Sequence, residues 1–465
     1  MFVGRSYEID QLNKLYNRPG FQLAILYGRR KVGKTSLVKE FCKNKPTLFY
    51  IPEEHDDNLA FNSFRNSIFK HFKLSGDKVE INTWEDAFRM ICKESNGNRM
   101  LLVLDAFPSL TNENPSISSI INKVIETQMK ATEIFLIIIG SFNGLTERHV
   151  INSKSGLFAF RSAQFKLEPL SFFESTHFFP NIPIYDKVKF YSTLGGMPHY
   201  LTQFDYNRNY DENVIELLLN KSSYLFGEPE SYLKSKLESL STADKVLSLL
   251  SKGDYNLERF NETNFFMGKD LIFVIKKLKE LGVIKRYKSI GSSEKRPWSY
   301  YRLEDHFFRY WYRFLYKNRN LVEMGMQQYL YQNKIAGDIN SHIGYVFEDI
   351  CTQFLKKLNS SFQLPFVFEY IGSWIGYNLS LKKPSQLDIV ASSENNVLVG
   401  ECKWTGAPIN MNIIQSLIKK AHTLRYENKY YCFFSKSGYN DEAKEYSLQN
   451  KNIYLFSLKD IEKHL

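Results

Sequence analysis

Tyr27-Gly-Arg-Arg-Lys-Val-Gly-Lys-Thr-Ser36 decides the amino-terminal fold, because Gly28 and Gly33 bracket Arg29, Arg30, Lys31 and Val32 and are followed by Lys34 and Thr35. This is the Gly-x-x-x-x-Gly-Lys-[Ser/Thr] spacing of a phosphate-binding loop. Glycines allow a nest of backbone N–H groups, a lysine reaches the β- and γ-phosphates, and a hydroxyl completes a magnesium shell. The expected ligands are therefore ATP and Mg2+, with Gly28 through Ser36 around the nucleotide and Thr35 on the metal. The flanks suit the motif: Gln22 to Tyr27 reads as a buried strand, and Leu37, Val38 and Phe41 have helical spacing.

Outward from the loop, residues 1 to about 168 alternate apolar runs with amphipathic stretches, the pattern of an α/β fold with a doubly wound parallel sheet. Met100-Leu-Leu-Val-Leu-Asp105 is a strand ending in an acid, which would deliver Asp105 to the magnesium side of the phosphate loop. The next residue is Ala106, where ATPases of this general type commonly carry a glutamate that polarises the attacking water. Loss of such a base typically costs roughly 10²–10⁴ in rate, so tight nucleotide binding with slow turnover is expected. Ile134 to Ser141 is another buried strand whose terminal hydroxyl, Ser141, is placed to sense the γ-phosphate, and Arg161 is a candidate phosphate-sensing arginine.

From Pro169 the composition turns helical, with a Gly195-Gly-Met-Pro198 turn inside it. The Phe2-Val-Gly-Arg-x-x-Glu8 opening, Gly28 to Thr35, Leu104-Asp105, Gly140-Ser141 and Gly196-Met-Pro198, in that order, resemble the prokaryotic P-loop ATPases of the signal-transduction (STAND) branch of the AAA+ class. That resemblance covers residues 1 to about 235. It implies that Arg5 and Glu8 lie near the adenine end and that Pro198 packs on the nucleotide from a helical lid. Ala106 and Phe160 depart from the family pattern.

The 465-residue length suggests roughly three domains. The formal charge of +11 is concentrated between Lys269 and Arg319, where 14 lysines and arginines face five acids, the footprint expected of a nucleic-acid partner. Residues 236 to about 305 read as helix, helix, strand, polar wing and strand, a winged-helix order, with Lys276, Lys277 and Lys279 on the second helix and Lys288, Lys295 and Arg296 around the wing. The aromatic run Phe307 to Tyr316 has helical spacing and is expected to be core. Five scattered cysteines imply neither a disulfide framework nor a zinc site. No apolar run approaches membrane-spanning length and no leader is evident, so a cytoplasmic protein is expected.

A second constellation lies near the carboxyl end. Gln386-Leu-Asp388-Ile-Val-Ala and Val397-Leu-Val-Gly-Glu401-Cys-Lys403-Trp read as two strands of a hairpin. Centred on Glu394-Asn395 it sets Asp388 opposite Glu401; centred on Asn395-Asn396 it sets Asp388 opposite Lys403. Either register clusters two carboxylates and a lysine, and facing carboxylates call for a cation, naturally magnesium. Asp388, Glu401 and Lys403 are the candidate catalytic residues, with Lys403 orienting or deprotonating water or steadying a phosphorane. Glu348, on a helix from Ile343 to Leu355, is a further metal ligand beside Asp388 and Glu401, and Gln415 is a weaker candidate. This set resembles the PD-(D/E)xK nuclease superfamily, and Ile371-Gly-Ser-Trp, Gln386 to Val390 and Gly400 to Trp404 are similar to the nuclease-like module that commonly follows ATPase and winged-helix segments of this kind.

The expected organisation is a P-loop ATPase domain (1–168), a helical lid (169–235), a winged-helix domain (236–320) and an α/β restriction-endonuclease-like domain (321–465). The expected function is an ATP-binding, slowly hydrolysing ATPase that contacts DNA and carries a metal-dependent nuclease. The alternative is an ATP-gated switch or scaffold that recruits a protein partner, with a homo-oligomer as a further association and a non-catalytic last domain.

Overall fold

The computed structural model describes residues 2–52, 56–74, 80–141, 156–263, 269–290, 298–378 and 381–465. The chain forms two compact units: Met1–Pro169 with Met197–His199, and Leu170–Gly196 with Tyr200–Leu465.

The first unit is built on five parallel strands: β1 (Gln22–Gly28), β2 (Thr47–Tyr50), β3 (Met100–Leu104), β4 (Ile134–Ser141) and β5 (Ala163–Leu167). Their order across the sheet is β2-β3-β4-β1-β5, all pairs parallel. A central parallel strand is covered on both faces, which is why β3 and β4 are continuous apolar runs rather than alternating ones. On one face, Trp84 and Phe88 of the helix Trp84–Ser95 pack with Phe64 of the helix Asp57–Phe72. Those two helices start on side-chain caps, Asp56 and a Thr83–Asp86 capping box.

The second unit holds the remaining segments. The helices Ser241–Leu250, Leu257–Asn261 and Lys269–Glu280 precede an antiparallel pair, β6 (Ile284–Lys288) and β7 (Ser299–Leu303). A single bridge from Tyr255 to Tyr301 adds a third pairing to β7. Lys295 and Arg296, expected on a wing, lie outside the described residues. The aromatic run is core as expected: Phe307, Phe308, Tyr310, Trp311, Tyr312 and Phe314 are all buried.

The carboxyl-terminal sheet contains β8 (Tyr370–Asn378), β9 (Lys383–Ser392), β10 (Asn396–Lys403), β11 (Asn428–Ser435) and β12 (Ile453–Ser457) in sequential order. β8, β9 and β10 pair antiparallel, then β10, β11 and β12 pair parallel. Alternation puts Val397 and Val399 in the core beneath the helix Met411–Ala421, and Glu401 and Lys403 continue that face. Trp404, of the other parity, meets Phe347 of the long helix Ile339–Ser360.

Two features of the sequence reading change. The local excess of basic residues overstates the free cationic surface: Arg302 pairs with Asp254, Arg313 with Asp338 and Arg319 with Glu230, while Arg309 is buried. Lys276, Lys279, Lys285, Arg286 and Lys288 remain exposed. Arg161 does not lie beside the phosphate loop of its own chain. Its neighbour Ser162 hydrogen-bonds with Leu23 near the start of β1, whereas the phosphate loop leaves the other end at Gly28. At about 3.3 Å per strand residue those ends are roughly 15–20 Å apart.

Candidate functional site

The phosphate loop connects β1 to the helix Lys34–Phe41. Gly28 has φ +154°, and a Cβ there would stand 2.4 Å from the Leu167 carbonyl oxygen, so glycine is required. The helix opens at Gly33, φ +95°, with no side-chain cap. Its first N–H groups therefore converge on the loop with the positive end of the helix dipole behind them, which is an anion site by construction. Lys34 is buried and its Nζ donates to the carbonyls of Gly28 (3.1 Å) and Arg29 (2.9 Å). Burial pushes the Lys34 ammonium down to about 8, with Asp105 opposing the shift and Arg30 adding to it.

Asp105 lies one residue beyond β3, and its Oδ2 accepts from Thr35 Oγ1 at 2.5 Å. The hydroxyl and carboxylate expected to share a magnesium ion are thus adjacent, and this hard-oxygen pair fits that ion. Ala106 donates its N–H to Asp105 Oδ1 at 2.7 Å and sits at φ +49°, so the place of the missing glutamate is a left-handed turn. Ser141 is the register partner of Gly28 across β1 and β4, which sets it beside the start of the loop. Pro198 lies against the loop as well, its Cγ 3.6 Å from the position of a Cβ on Gly33. Arg5 has a bracing role: its Nη2 donates to the carbonyls of Val32 (3.3 Å) and Glu168 (2.5 Å), and its Nη1 to Glu8 (3.3 Å).

In the carboxyl-terminal sheet, the ladder pairs Gly400 with Ile389 and Val399 with Val390. Continued by one residue, that register sets Glu401 opposite Asp388, the first of the two registers the hairpin allows. Asp388 Oδ2 accepts the Cys402 N–H at 3.1 Å. Glu401 is buried; its Oε1 accepts from Lys403 Nζ at 2.5 Å, and its Oε2 has no hydrogen-bond partner, with Lys420 Nζ 3.6 Å away.

Burial raises the Asp388 carboxyl above the usual range, and the facing Glu401 raises it further. Burial likewise raises Glu348, joined by repulsion from Asp388 and opposed by Arg302. For Lys403, burial acts to lower the ammonium, but the Glu401 carboxylate outweighs it and holds the group above its ordinary value. No group of three or more histidine, cysteine or acidic side chains among the described residues is gathered closely enough to hold a metal ion as it stands. The carboxylates interact pairwise instead, Glu348 with Asp388 and Asp388 with Glu401. Magnesium needs only one or two carboxylates with water completing its shell, so the facing Asp388–Glu401 pair fits it.

Gln415 is exposed on its helix, and Lys420 of the same helix is the residue that reaches Glu401. Sequence spacing gave no signal for Lys420, or for Arg302, whose Nη2 lies 4.0 Å from Glu348 Oε2.

Residues 2–204 match the family described as an ATPase domain predominantly from Archaea. The amino-terminal unit carries an archaeal-type P-loop ATPase domain. The chain's fold also resembles the Walker-type ATPase of Pyrococcus abyssi, with a TM-score of 0.50 and 15% identity over 67% of this chain and 96% of that one. Beyond the ATPase domain, residues 311–415 match a family of archaeal and bacterial proteins of unknown function, a span that includes Glu348, Asp388, Glu401 and Lys403. An uncharacterized protein of Methanocaldococcus jannaschii is 28% identical over 99% of this chain and its own full length. An uncharacterized ATP-binding protein of the same organism is 51% identical over 45 residues, 10% of this chain and 76% of that protein. No helix among the described residues is long and apolar enough to cross a membrane.

Proposed function

We propose that the chain is a nucleotide-gated ATPase that contacts DNA and carries a metal-dependent nuclease site at Asp388, Glu401 and Lys403. The observation that carries this reading is the β9–β10 register, which, continued by one residue, faces Asp388 with a buried Glu401 whose second oxygen accepts no hydrogen bond. When bound, magnesium supplies Lewis acidity and lowers the pKa of a water. Asp388 and Glu401 would hold it, with Glu348 beside Asp388, while the Lys403 ammonium orients the water and steadies charge on the phosphorane.

Mg-ATP is taken by Gly28 through Ser36 with Asp105, and Ser141 and Pro198 respond to the bound nucleotide. With Ala106 in place of a base, turnover is slow, so bound ATP acts as a state rather than a motor stroke. The three helices with the β6–β7 hairpin and the Tyr255 bridge follow winged-helix order, and their exposed lysines suit phosphate contacts. A four-domain division at 168, 235 and 320 is part of the same proposal.

The test is plasmid and single-stranded DNA cleavage in Mg2+ or Mn2+ with ATP, comparing wild type with Lys403→Ala. Equal cleavage by both removes the nuclease assignment.

One observation favours a rival. Ile272 and Phe273, on the helix before the hairpin, are 64% and 60% exposed, which suits a protein partner better than a DNA groove. In that reading ATP gates recruitment and the last domain does not catalyse. Absence of DNA affinity at modest salt, with salt-insensitive binding to a protein, would support it.

A further inference from the structure

The helix Met411–Ala421 covers the sheet face that carries Val397, Val399, Glu401 and Lys403. Ile413 and Leu417 of that helix pack into the core, and helical spacing then calls for another apolar side chain where the sequence has Lys420. The last turn is pinned from several sides. Leu417 and Ala421 are buried, and Asn378 of β8, itself fully buried, donates from Nδ2 to the Lys420 carbonyl at 2.9 Å. Lys429 Nζ donates to the Ala421 carbonyl at 3.3 Å. The backbone of Lys420 is thus fixed over the carboxylates, while its side chain keeps the flexible four-carbon stem of a lysine.

Two ammoniums share Glu401 in unlike ways. Lys403 Nζ donates to Oε1 at 2.5 Å, whereas Lys420 Nζ stands 3.6 Å from Oε2, in ion-pair range but beyond a hydrogen bond. Oε2 is buried and accepts no hydrogen bond. Both ammoniums also oppose the rise in the Asp388 carboxyl that burial and Glu401 cause. Two facing carboxylates and two ammoniums balance in charge. A divalent cation added to that set leaves two positive charges in excess, and like charges so close repel strongly in a partly buried site. One ammonium has to withdraw. Lys403 is tied by its hydrogen bond; the Lys420 side chain is 27% exposed, so solvent lies within reach of its head group.

We propose that Lys420 is the exchangeable cation of this centre: its ammonium neutralises Glu401 Oε2 in the metal-free protein and leaves that oxygen when a divalent metal ion binds between Asp388 and Glu401. The inference rests on the metal-site reading of that pair and adds the residue that sets its affinity. Without metal, Lys420 is a positioning residue that keeps the two carboxylates facing each other. Metal has to break this ion pair to enter, so it binds less tightly than the carboxylates alone would hold it.

The test adds Mn2+ alone to the chelator-stripped full chain without nucleotide and reads free metal by electron paramagnetic resonance. Glu401→Gln marks the part of the binding that belongs to this centre. Lys420→Met removes the ammonium and keeps an aliphatic stem, Lys420→Arg keeps the charge, and Lys419→Met removes the exposed lysine beside it. Lys420→Met is expected to bind Mn2+ about two- to fivefold more tightly at the Glu401-dependent site, the worth of a partly exposed ion pair that no longer has to break. Lys420→Arg and Lys419→Met are expected to bind as wild type does. In wild type, acylation of Lys420 by a lysine-reactive ester, read by peptide mass, quickens when Mn2+ is added while that of Lys419 does not, a response that a merely structural lysine would not give. Unchanged or weaker Mn2+ binding by Lys420→Met, an equal gain in Lys419→Met, Lys420 acylation indifferent to Mn2+, or no Glu401-dependent Mn2+ binding in either wild type or Lys420→Met overturns the exchange. Tighter Mn2+ binding by Lys420→Met alongside equal DNA cleavage by wild type and Lys403→Ala would sink the nuclease reading and leave the exchange standing; loss of cleavage in Lys403→Ala with wild-type Mn2+ affinity in Lys420→Met does the reverse.

Discussion

Arg302 and Glu348 stand 4.0 Å apart, Nη2 to Oε2, although 46 positions separate them in sequence. Arg302 also grips Asp254, donating from Nη2 to Oδ2 at 2.8 Å and from Nε at 3.1 Å, and it lies over the Tyr345 ring one helical turn before Glu348. The hairpin strand β7 thus supplies the counter-charge for a carboxylate of the candidate nuclease site. Arg302→Met leaves Asp254 and Glu348 without that cation, and breaking a largely buried pair from one side costs about 3 kcal/mol. Denaturant unfolding should register that loss, and Asp254→Asn combined with Arg302→Met should recover part of it. Equal stabilities for the single variant and wild type would show the pair to be incidental.

Lys34 carries a different expectation. Its ammonium is buried, and its pKa is lowered from 10.5 to about 8, so the folded protein holds this proton less well than the unfolded chain. The charge therefore costs roughly 2–3 kcal/mol at neutral pH, a cost that fades as pH rises from about 8 toward 10.5. Without nucleotide, Lys34→Met should melt higher than wild type at pH 7, and the gap should close in alkali. ATP should raise the melting temperature of wild type alone.

Ala106 is testable in both directions. At φ +49° an alanine costs about 1 kcal/mol relative to glycine, so Ala106→Gly should stabilise the protein by about that amount. Ala106→Glu accepts the same backbone strain and introduces the carboxylate that polarises water. Steady-state phosphate release should rise at least tenfold in Ala106→Glu and stay at the wild-type level in Ala106→Gly.

Glu348 and Asp388 make stability fall with pH. Burial raises both carboxyls, with repulsion from Asp388 adding to Glu348 and repulsion from Glu401 adding to Asp388, so from the ordinary carboxylate range upward the folded state holds more protons than the unfolded one. Their contribution is full in acid and is lost as pH climbs through the raised values. Glu348→Gln, fixed in the neutral form, should flatten the melting-temperature profile on its alkaline side. Adding Mg2+ there should raise the melting temperature of wild type more than that of Asp388→Asn. A profile unchanged by either substitution would contradict the facing arrangement.

The residues that were legible in the sequence are those whose chemistry is local. Gly28 to Thr35 is fixed by spacing, Asp105 and Ser141 by their places at strand ends, and Asp388 with Glu401 by hairpin geometry once the turn centre is chosen. What sequence concealed is pairing set by topology. Lys420 reaches Glu401 because its helix packs over β9 and β10, a contact no spacing rule encodes. The distance of Arg161 from the phosphate loop emerges only with the register, which sets the start of β5 against the start of β1. The basic segment looked freer than it is because Asp254, Glu230 and Asp338, which neutralise its arginines, lie outside it.

The most direct measurement is the initial rate of plasmid cleavage in Mg-ATP by wild type, Lys403→Ala and Lys34→Ala. The account predicts cleavage by wild type, a loss of at least about a hundredfold in Lys403→Ala, and an altered rate in Lys34→Ala, which cannot hold nucleotide. Cleavage that is absent from wild type, or that survives undiminished in Lys403→Ala, would contradict it.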